Sequence, residues 1–279
     1  MKNILVPTDF SDCAEFALEF AFCMSEIYEA KVHVLHNVAE KKGIWATTKS
    51  EKEAFHENLE IERLLSFEFA KLTEGAPINT QNLNTYHTKG DLVENITQFI
   101  QEKAIDFVVM GSHGASGKKE FFVGSNTQKI VRAISCPVFV VKNSALNFKI
   151  NKVVFASNFN LSTVTSLDYA LEFLKPFDPE IHLVEVNTPG YFTQPYTIEK
   201  EVLNDFKRIC TGKGFKCETH FHKDLSVEAG VRHITEKLEA DLIIVSNETK
   251  HPLRRFLRGS NVEFIVNHAE VPVLSIDLK

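Results

Sequence analysis

The sequence predicts an α/β protein of two tandem doubly wound domains, each with a five-stranded parallel sheet in the order 3-2-1-4-5. Apolar runs of strand length alternate with amphipathic stretches of helix length, the signature of parallel strands joined by crossover helices. The second half of the chain restates the first. A glycine-punctuated segment leaves one strand and opens a helix, as phosphate-binding loops do.

The first strand is Asn3–Pro7. Ala14, Ala17, Leu18, Ala21 and Phe22 then recur at i, i+3, i+4, i+7 and i+8, one apolar face of a helix. Val32–Val38 is the second strand. A polar connection leads to a long amphipathic helix around Glu51–Leu72, with Phe55, Leu59, Leu65 and Leu72 inward. Asn82–His87 reads as a weaker third strand, Leu92–Glu102 as a helix, Phe107–Gly111 as the fourth strand and Val138–Val141 as the fifth. The second half is expected to follow with helices near Thr163–Leu174, Ile198–Cys210 and Val227–Leu238.

The repeat is visible residue by residue. Ile4-Leu5-Val6-Pro7-Thr8-Asp9-Phe10 matches Val153-Val154-Phe155-Ala156-Ser157-Asn158-Phe159, and Val32-His33-Val34-Leu35 matches Ile181-His182-Leu183-Val184. Asp106-Phe107-Val108-Val109 matches Asp241-Leu242-Ile243-Ile244, and Cys136-Pro137-Val138-Phe139 matches Val271-Pro272-Val273-Leu274. Apolar alternation recurs by chance, but Asp, Pro and Gly-Ser at a near-constant offset do not. Two homologous domains are therefore expected, over residues 1–143 and 149–279, joined near Asn143–Lys149.

Composition narrows the function classes. The 279 residues are 44% hydrophobic and 24% charged, the balance of a soluble globular protein. A net charge of −6 gives no support to a nucleic-acid surface. Met1-Lys2-Asn3 runs directly into Ile4-Leu5-Val6 with no signal-peptide core and no long apolar span, so a cytoplasmic protein without a membrane partner is expected. The five cysteines are odd in number and scattered, which fits reduced thiols better than a disulfide framework.

The chemistry concentrates in one pattern, Gly111-x2-Gly114-x9-Gly124-Ser125, at the exit of the apolar run Val108-Val109-Met110. Glycines there let backbone amides reach a phosphate with no Cβ in the way. A helix N-terminus adds unpaired N–H groups and the positive end of the dipole. Ser125-Asn126-Thr127-Gln128 has the S-x-x-Q form of a capping box, repeated as Ser260-Asn261-Val262-Glu263. A serine that merely caps its helix, worth about 1 kcal/mol, explains those tetrapeptides but not Gly111 and Gly114. In the order 3-2-1-4-5, which periodicity alone does not fix, the ends of strands 1 and 4 flank the switch point where open α/β sheets bind ligands. Pro7-Thr8-Asp9 then meets the glycine loop.

The glycine pattern, with the opening Ile4-Leu5-Val6-Pro7-Thr8-Asp9 and the closing Cys136-Pro137-Val138-Phe139-Val140-Val141, resembles the nucleotide-binding signature of the universal stress protein family. The resemblance spans the whole chain as two tandem domains. It implies the 3-2-1-4-5 sheet of the adenine-nucleotide α-hydrolase-like group and ATP as ligand, with Mg2+ as an optional companion. Carried over by position, it implies Asp9 near the ribose and Pro7 and Thr8 beside the base. Met110 and Gly111 would line the nucleoside side, and Gly114, Gly124, Ser125 and Asn126 the phosphates. Asn37 falls where the family has a small apolar residue against adenine. In the second half Ser246 and Thr249 replace the two glycines, Asn158 replaces Asp9 and Ala156 replaces Pro7, implying one competent site and one degenerate one. Lys250, Arg254, Arg255 and Arg258 make the degenerate loop basic, as a solvated surface or as a seat for another anion. The family also implies pairing of the two domains through their last strands, Val138–Val141 and Val273–Ile276, with a homodimer as a further option.

Other signals carry less. His220 and His222 share a strand face near Cys210, Cys217 and His233, but no paired zinc spacing appears, and an edge strand explains them. His113 lies in the glycine loop within reach of a phosphate, without a partner carboxylate. Lys118 and Lys119 fit either phosphate screening or an ordinary surface. There is no Walker loop, no G-x-S-x-G elbow and no poised carboxylate pair, so no catalytic or metal-binding residue is assigned. The expected protein is a stress-response module that binds ATP in its N-terminal domain and regulates a protein partner. The rivals are an enzyme with slow ATP hydrolysis and a nucleotide-free scaffold.

Overall fold

The computed structural model describes residues 1–38, 62–64, 66–68, 70–71, 82–112, 124–144, 148–188, 196–246 and 261–277. Among them run ten strands and seven bounded helices. The first half contains β1 (Asn3–Thr8), α1 (Asp12–Tyr28), β2 (Lys31–Val38), β3 (Leu83–Lys89), α2 (Leu92–Lys103), β4 (Phe107–Gly111), α3 (Ser125–Ala133) and β5 (Val138–Val141). The second contains β6 (Lys152–Ala156), α4 (Thr163–Leu174), β7 (Glu180–Asn187), α5 (Tyr196–Gly212), β8 (Cys217–Lys223), α6 (Val227–Leu238), β9 (Leu242–Ser246), α7 (Asn261–His268) and β10 (Val273–Ile276). The helix expected around Glu51–Leu72 is helical at the described residues between 62 and 71, and the rest of it lies outside the described residues.

All ten strands form one sheet, ordered β3-β2-β1-β4-β5-β10-β9-β6-β7-β8. Each half therefore has the order 3-2-1-4-5, and every pairing within a half is parallel. The halves meet where β5 and β10 pair antiparallel, with Phe139 opposite Leu274. The central strands are buried on both faces and read as continuous apolar runs, as parallel strands must.

The seam is packed on both sides. On one face Phe173 of α4 sits 5.0 Å from the Phe139 ring and 6.0 Å from the Phe107 ring, and Phe20 of α1 sits 5.0 Å from Phe139. All four rings are fully buried, each worth roughly 1.5–3 kcal/mol of transfer free energy. On the other face the Arg132 guanidinium donates to both carboxylate oxygens of Glu263 on α7. That pairing compensates a carboxylate only 6% exposed.

The repeat extends to the backbone. Six described non-glycine residues have positive φ, and they form three repeat-related pairs: Phe10 and Phe159, Glu29 and Asp178, Ala104 and Glu239. Each costs roughly 1 kcal/mol outside glycine, so their recurrence marks shared turn geometry. Asp106 accepts from the backbone N–H groups of Lys2 and Asn3, and Asp241 accepts likewise from Asn151 and Lys152. The matched Asp of each half thus fastens strand 4 to the start of strand 1.

Candidate functional site

At the carboxyl end of β1, Pro7 and Thr8 are buried in register with Leu35 and His36 of β2. Thr8 Oγ1 accepts from the Phe10 N–H at 3.0 Å, and Phe10 turns the chain at φ 61°. Asp9 is exposed, and its Oδ1 accepts from the N–H and hydroxyl of Ser11 at 3.2 and 2.6 Å. Ser11 in turn caps α1 by accepting from Ala14 N at 3.3 Å. The Asp9 carboxylate therefore already organises a helix entry.

At the end of β2, His36 Nδ1 donates to the Thr8 carbonyl at 2.8 Å, and its ring lies 4.9 Å from that of Phe10. Asn37 is held by the protein itself. Its Oδ1 accepts from Asn95 Nδ2 at 2.7 Å and Thr88 Oγ1 at 3.0 Å, and its Nδ2 donates to the Gly90 carbonyl at 3.2 Å. The amide thus fixes the turn between β3 and α2.

Met110 is buried at the end of β4, and Gly111 follows. A Cβ at position 111 would stand 2.4 Å from the Cys13 carbonyl oxygen, so packing against the first turn of α1 alone demands glycine. Ser112 N donates to Val141 O at 2.9 Å, and Gly124 N donates to Ser112 O at 2.7 Å. The strand exit and the helix entry are therefore one hydrogen bond apart. Thr127 Oγ1 completes the tie by donating to the Gly111 carbonyl at 2.8 Å. Sequence reasoning passed over Thr127, whose replacement by Val262 in the second half was the available signal.

The capping-box expectation is corrected here. Helix α3 begins at Ser125, so Gly124 is the N-cap, at φ −56° and ψ 143°, with no side-chain hydrogen bond. Ser125 stands one position too late to cap, and it and Asn126 are exposed. His113 and Gly114 lie outside the described residues. Of the described candidates, Pro7, Thr8 and Asp9 stand at the carboxyl end of β1, and Met110 and Gly111 at that of the adjacent β4. Gly124, Ser125 and Asn126 open α3, tied to β4 through Ser112 and Thr127, and Asn37 lies near the end of β2.

The second half has a cavity of about 200 Å3 at the equivalent place, walled by Val184, Val186, Val227 and Val245 and rimmed by Asn158, Glu185 and Ser246. Thr249, Lys250, Arg254, Arg255, Arg258, Gly259 and Ser260 lie outside the described residues.

The family model described as the universal stress protein family matches twice, over residues 1–142 and 149–276. The chain belongs to the universal stress protein family. Universal stress protein Slr1230 of Synechocystis is 23% identical over 99% of both chains. Universal stress protein MJ0577 of Methanocaldococcus jannaschii is 29% identical over 50% of this chain and 94% of its own length. A universal stress protein structure from Archaeoglobus fulgidus superposes with a TM-score of 0.77 at 20% identity, covering 99% of this chain and 98% of the other. The tandem arrangement and the α-hydrolase-like fold are thus those of a known group. No helix among the described residues is long and apolar enough to cross a membrane.

Proposed function

We propose that this member of the universal stress protein family binds one adenine nucleotide, ATP, at the switch point of its N-terminal half, as a cytoplasmic regulatory module. The observation that carries the reading is the bare N-terminus of α3. Gly124 puts no side chain on the first-turn amides, and the hydrogen bond from its N–H to Ser112 O holds that helix start at the exit of β4. A polyanion there gains the N–H donors and the helix dipole together. The Phe10–His36 ring pair, tilted by 31°, stands at the ends of β1 and β2 and offers aromatic surface to a base. Asp9, steadied by Ser11, has the place and charge to accept from ribose hydroxyls. Asn37 acts by holding the turn rather than by touching the base.

The reading does not lean on Gly111, whose contact with Cys13 would require glycine in a nucleotide-free scaffold too. It leans on Gly124 and, by sequence, on Gly114. Denaturing release of small molecules from the purified chain, followed by chromatographic quantification, should give close to one adenine nucleotide per chain. Gly114→Val should abolish that occupancy while the circular dichroism spectrum and thermal midpoint stay unchanged. Two nucleotides per chain would refute a single competent half. No nucleotide, with no ATP binding on titration, would favour the scaffold. Steady turnover of added ATP would move the reading to an enzyme.

A further inference from the structure

The second half carries a cluster that the nucleotide reading leaves unused. His222 is on β8, Asp224 follows its end, and His233 reaches in from α6. One ligand atom from each lies within 4.8 Å of the others. His222 Nε2 is 3.3 Å from Asp224 Oδ2, and His233 Nδ1 is 2.7 Å from the same oxygen. Four donors at about 2.0–2.2 Å around a tetrahedral ion stand roughly 3.3 Å apart, so one edge has the required length and another needs only a small opening.

We propose that His222, Asp224 and His233 form a binding site for a divalent transition-metal ion, zinc being the best match, with its fourth position open. Two imidazoles and one carboxylate are a borderline-soft donor set that selects zinc and its first-row neighbours over calcium or magnesium. The carboxylate is set as an outer shell would set it. Leu225 N donates to Asp224 Oδ1 at 2.7 Å, which turns Oδ2 toward the two rings. Asp224 N donates to Asn187 O at 3.1 Å and anchors the backbone at the end of β7.

The approach of α6 to this corner is also built. At Gly230, one turn before His233, a Cβ would stand 2.5 Å from Val186 Cγ1 and 3.2 Å from Asp224 Cβ. Glycine there brings the helix down onto the strand ends, and with it the ring of His233. His222 and His233 are 32% and 47% exposed at the side chain, so an ion has a path in, while Asp224 is 11% exposed. Val186, which packs against Gly230, also lines the 200 Å3 cavity of this half.

The proton count balances. With no metal, the Nδ1 proton of His233 is shared with Asp224. On binding, Nδ1 of His233 and Nε2 of His222 each give a lone pair to the ion; a neutral ring moves its proton to its other nitrogen through solvent, and a protonated ring releases one proton to solvent.

A second trio, His182, Glu218 and His220, makes a natural control. There the two imidazoles are hydrogen-bonded to each other at 3.0 Å, and His182 is buried. The cysteines that sequence spacing brought into question, Cys210 and Cys217, are buried in the core. Asp224 was the member that sequence reading missed.

The test uses the full chain stripped with a chelator and titrated calorimetrically with Zn2+ alone. One ion per chain is expected. Asp224→Asn and His233→Ala should each weaken it by at least the ~100-fold that marks the upper range for losing an outer-shell partner. His220→Gln should leave it unchanged. Cobalt substitution should give d–d bands without thiolate charge transfer. His233 is half-exposed on a helix, so its alanine variant folds, as its melting curve will verify. Failure to bind Zn2+, full affinity in both site variants, loss in His220→Gln, or a thiolate band would each overturn the assignment. Nucleotide occupancy of the first half is a separate readout, so either proposal can fail alone.

Discussion

The two halves share a frame and differ at the mouth. Their turns recur to the level of left-handed residues, and the same Asp clamps strand 4 to strand 1 in each. Yet around the switch point Gly111 faces Ser246, His36 faces Glu185, Thr127 faces Val262, and the pair Asn37–Asn95 faces Val186–Gly230. The changes come in compensated sets. Where the first half bridges β2 to α2 with an amide–amide hydrogen bond, the second closes the same gap with a valine against a glycine. The halves keep one scaffold, and at this corner their crevices differ by a coupled pair of residues.

The sharpest way to break this comparison is to exchange the residues at the end of strand 4. Gly111→Ser sets a Cβ against the backbone of Cys13, which cannot rotate away. We expect a loss of about 3 kcal/mol or more, at or beyond the upper end for overpacking, read from urea unfolding. The reciprocal Ser246→Gly should cost less than about 1 kcal/mol, the backbone-entropy term. The asymmetry has a visible cause. Helix α1 starts two residues past Phe10, whereas α4 starts four residues past Phe159, so the tight first turn has no counterpart beside Ser246. Equal costs in the two directions would remove packing as the reason for the glycine.

A smaller effect sharpens the idea of coupled sets. Asn37→Val alone deletes three hydrogen bonds and takes the acceptor from Thr88, while Asn95 keeps only its bond to the Lys89 carbonyl, at a cost of roughly 1–3 kcal/mol. Asn95→Gly alone costs about 1 kcal/mol in helix propensity besides its lost bonds. Together they recreate the Val186–Gly230 pair, and the double variant should recover about 1 kcal/mol relative to the sum. Strict additivity would show that the two pairs are unrelated solutions.

These sites also show what was legible beforehand. Strand order, the seam at Val138–Val141 and Val273–Ile276, and the convergence of Pro7-Thr8-Asp9 on the glycine pattern followed from periodicity, repeat and family resemblance. Those signals are local, or are copied at a fixed offset. What escaped depends on contacts between distant segments. The carbonyl of Cys13 gives Gly111 its purpose, and nothing in the spacing of a glycine loop points to α1. Asn37 read as a departure at the base because its partners, Asn95 and Gly90, belong to the next crossover. Asp224 lay between two histidines in the chain, yet only the fold turns His233 back toward it. The capping box failed for a simpler reason, since the tetrapeptide fits equally well with the helix starting one residue earlier or later.

The smallest expected difference is in acid. Each half buries a histidine at the same place on its second strand, His33 and His182, and in both burial holds the imidazole below its ordinary pKa. His33 pairs with Asn3 Oδ1, an acceptor that is indifferent to pH. His182 pairs with His220, itself lowered first by burial and then by His182, so a proton added to the acceptor ring would face another proton. Glu180 and Glu218 pull these two back up, while Lys152 and Lys237 push them down. A lowered folded pKa means that the unfolded chain binds more protons below about pH 6.5. Stability is therefore level above that pH and falls as pH drops through it, by at most ~1.4 kcal/mol per pH unit for each proton. Two such rings in the second half, one of them only half-buried, should make β7 and β8 lose hydrogen-exchange protection at a higher pH than β2 and β3. His220→Gln should bring the two halves together, because a glutamine can pair with His182 without titrating. Protection lost in parallel in the parent chain would mean that the shared ten-stranded sheet unfolds as one unit, and that the halves differ only at their mouths.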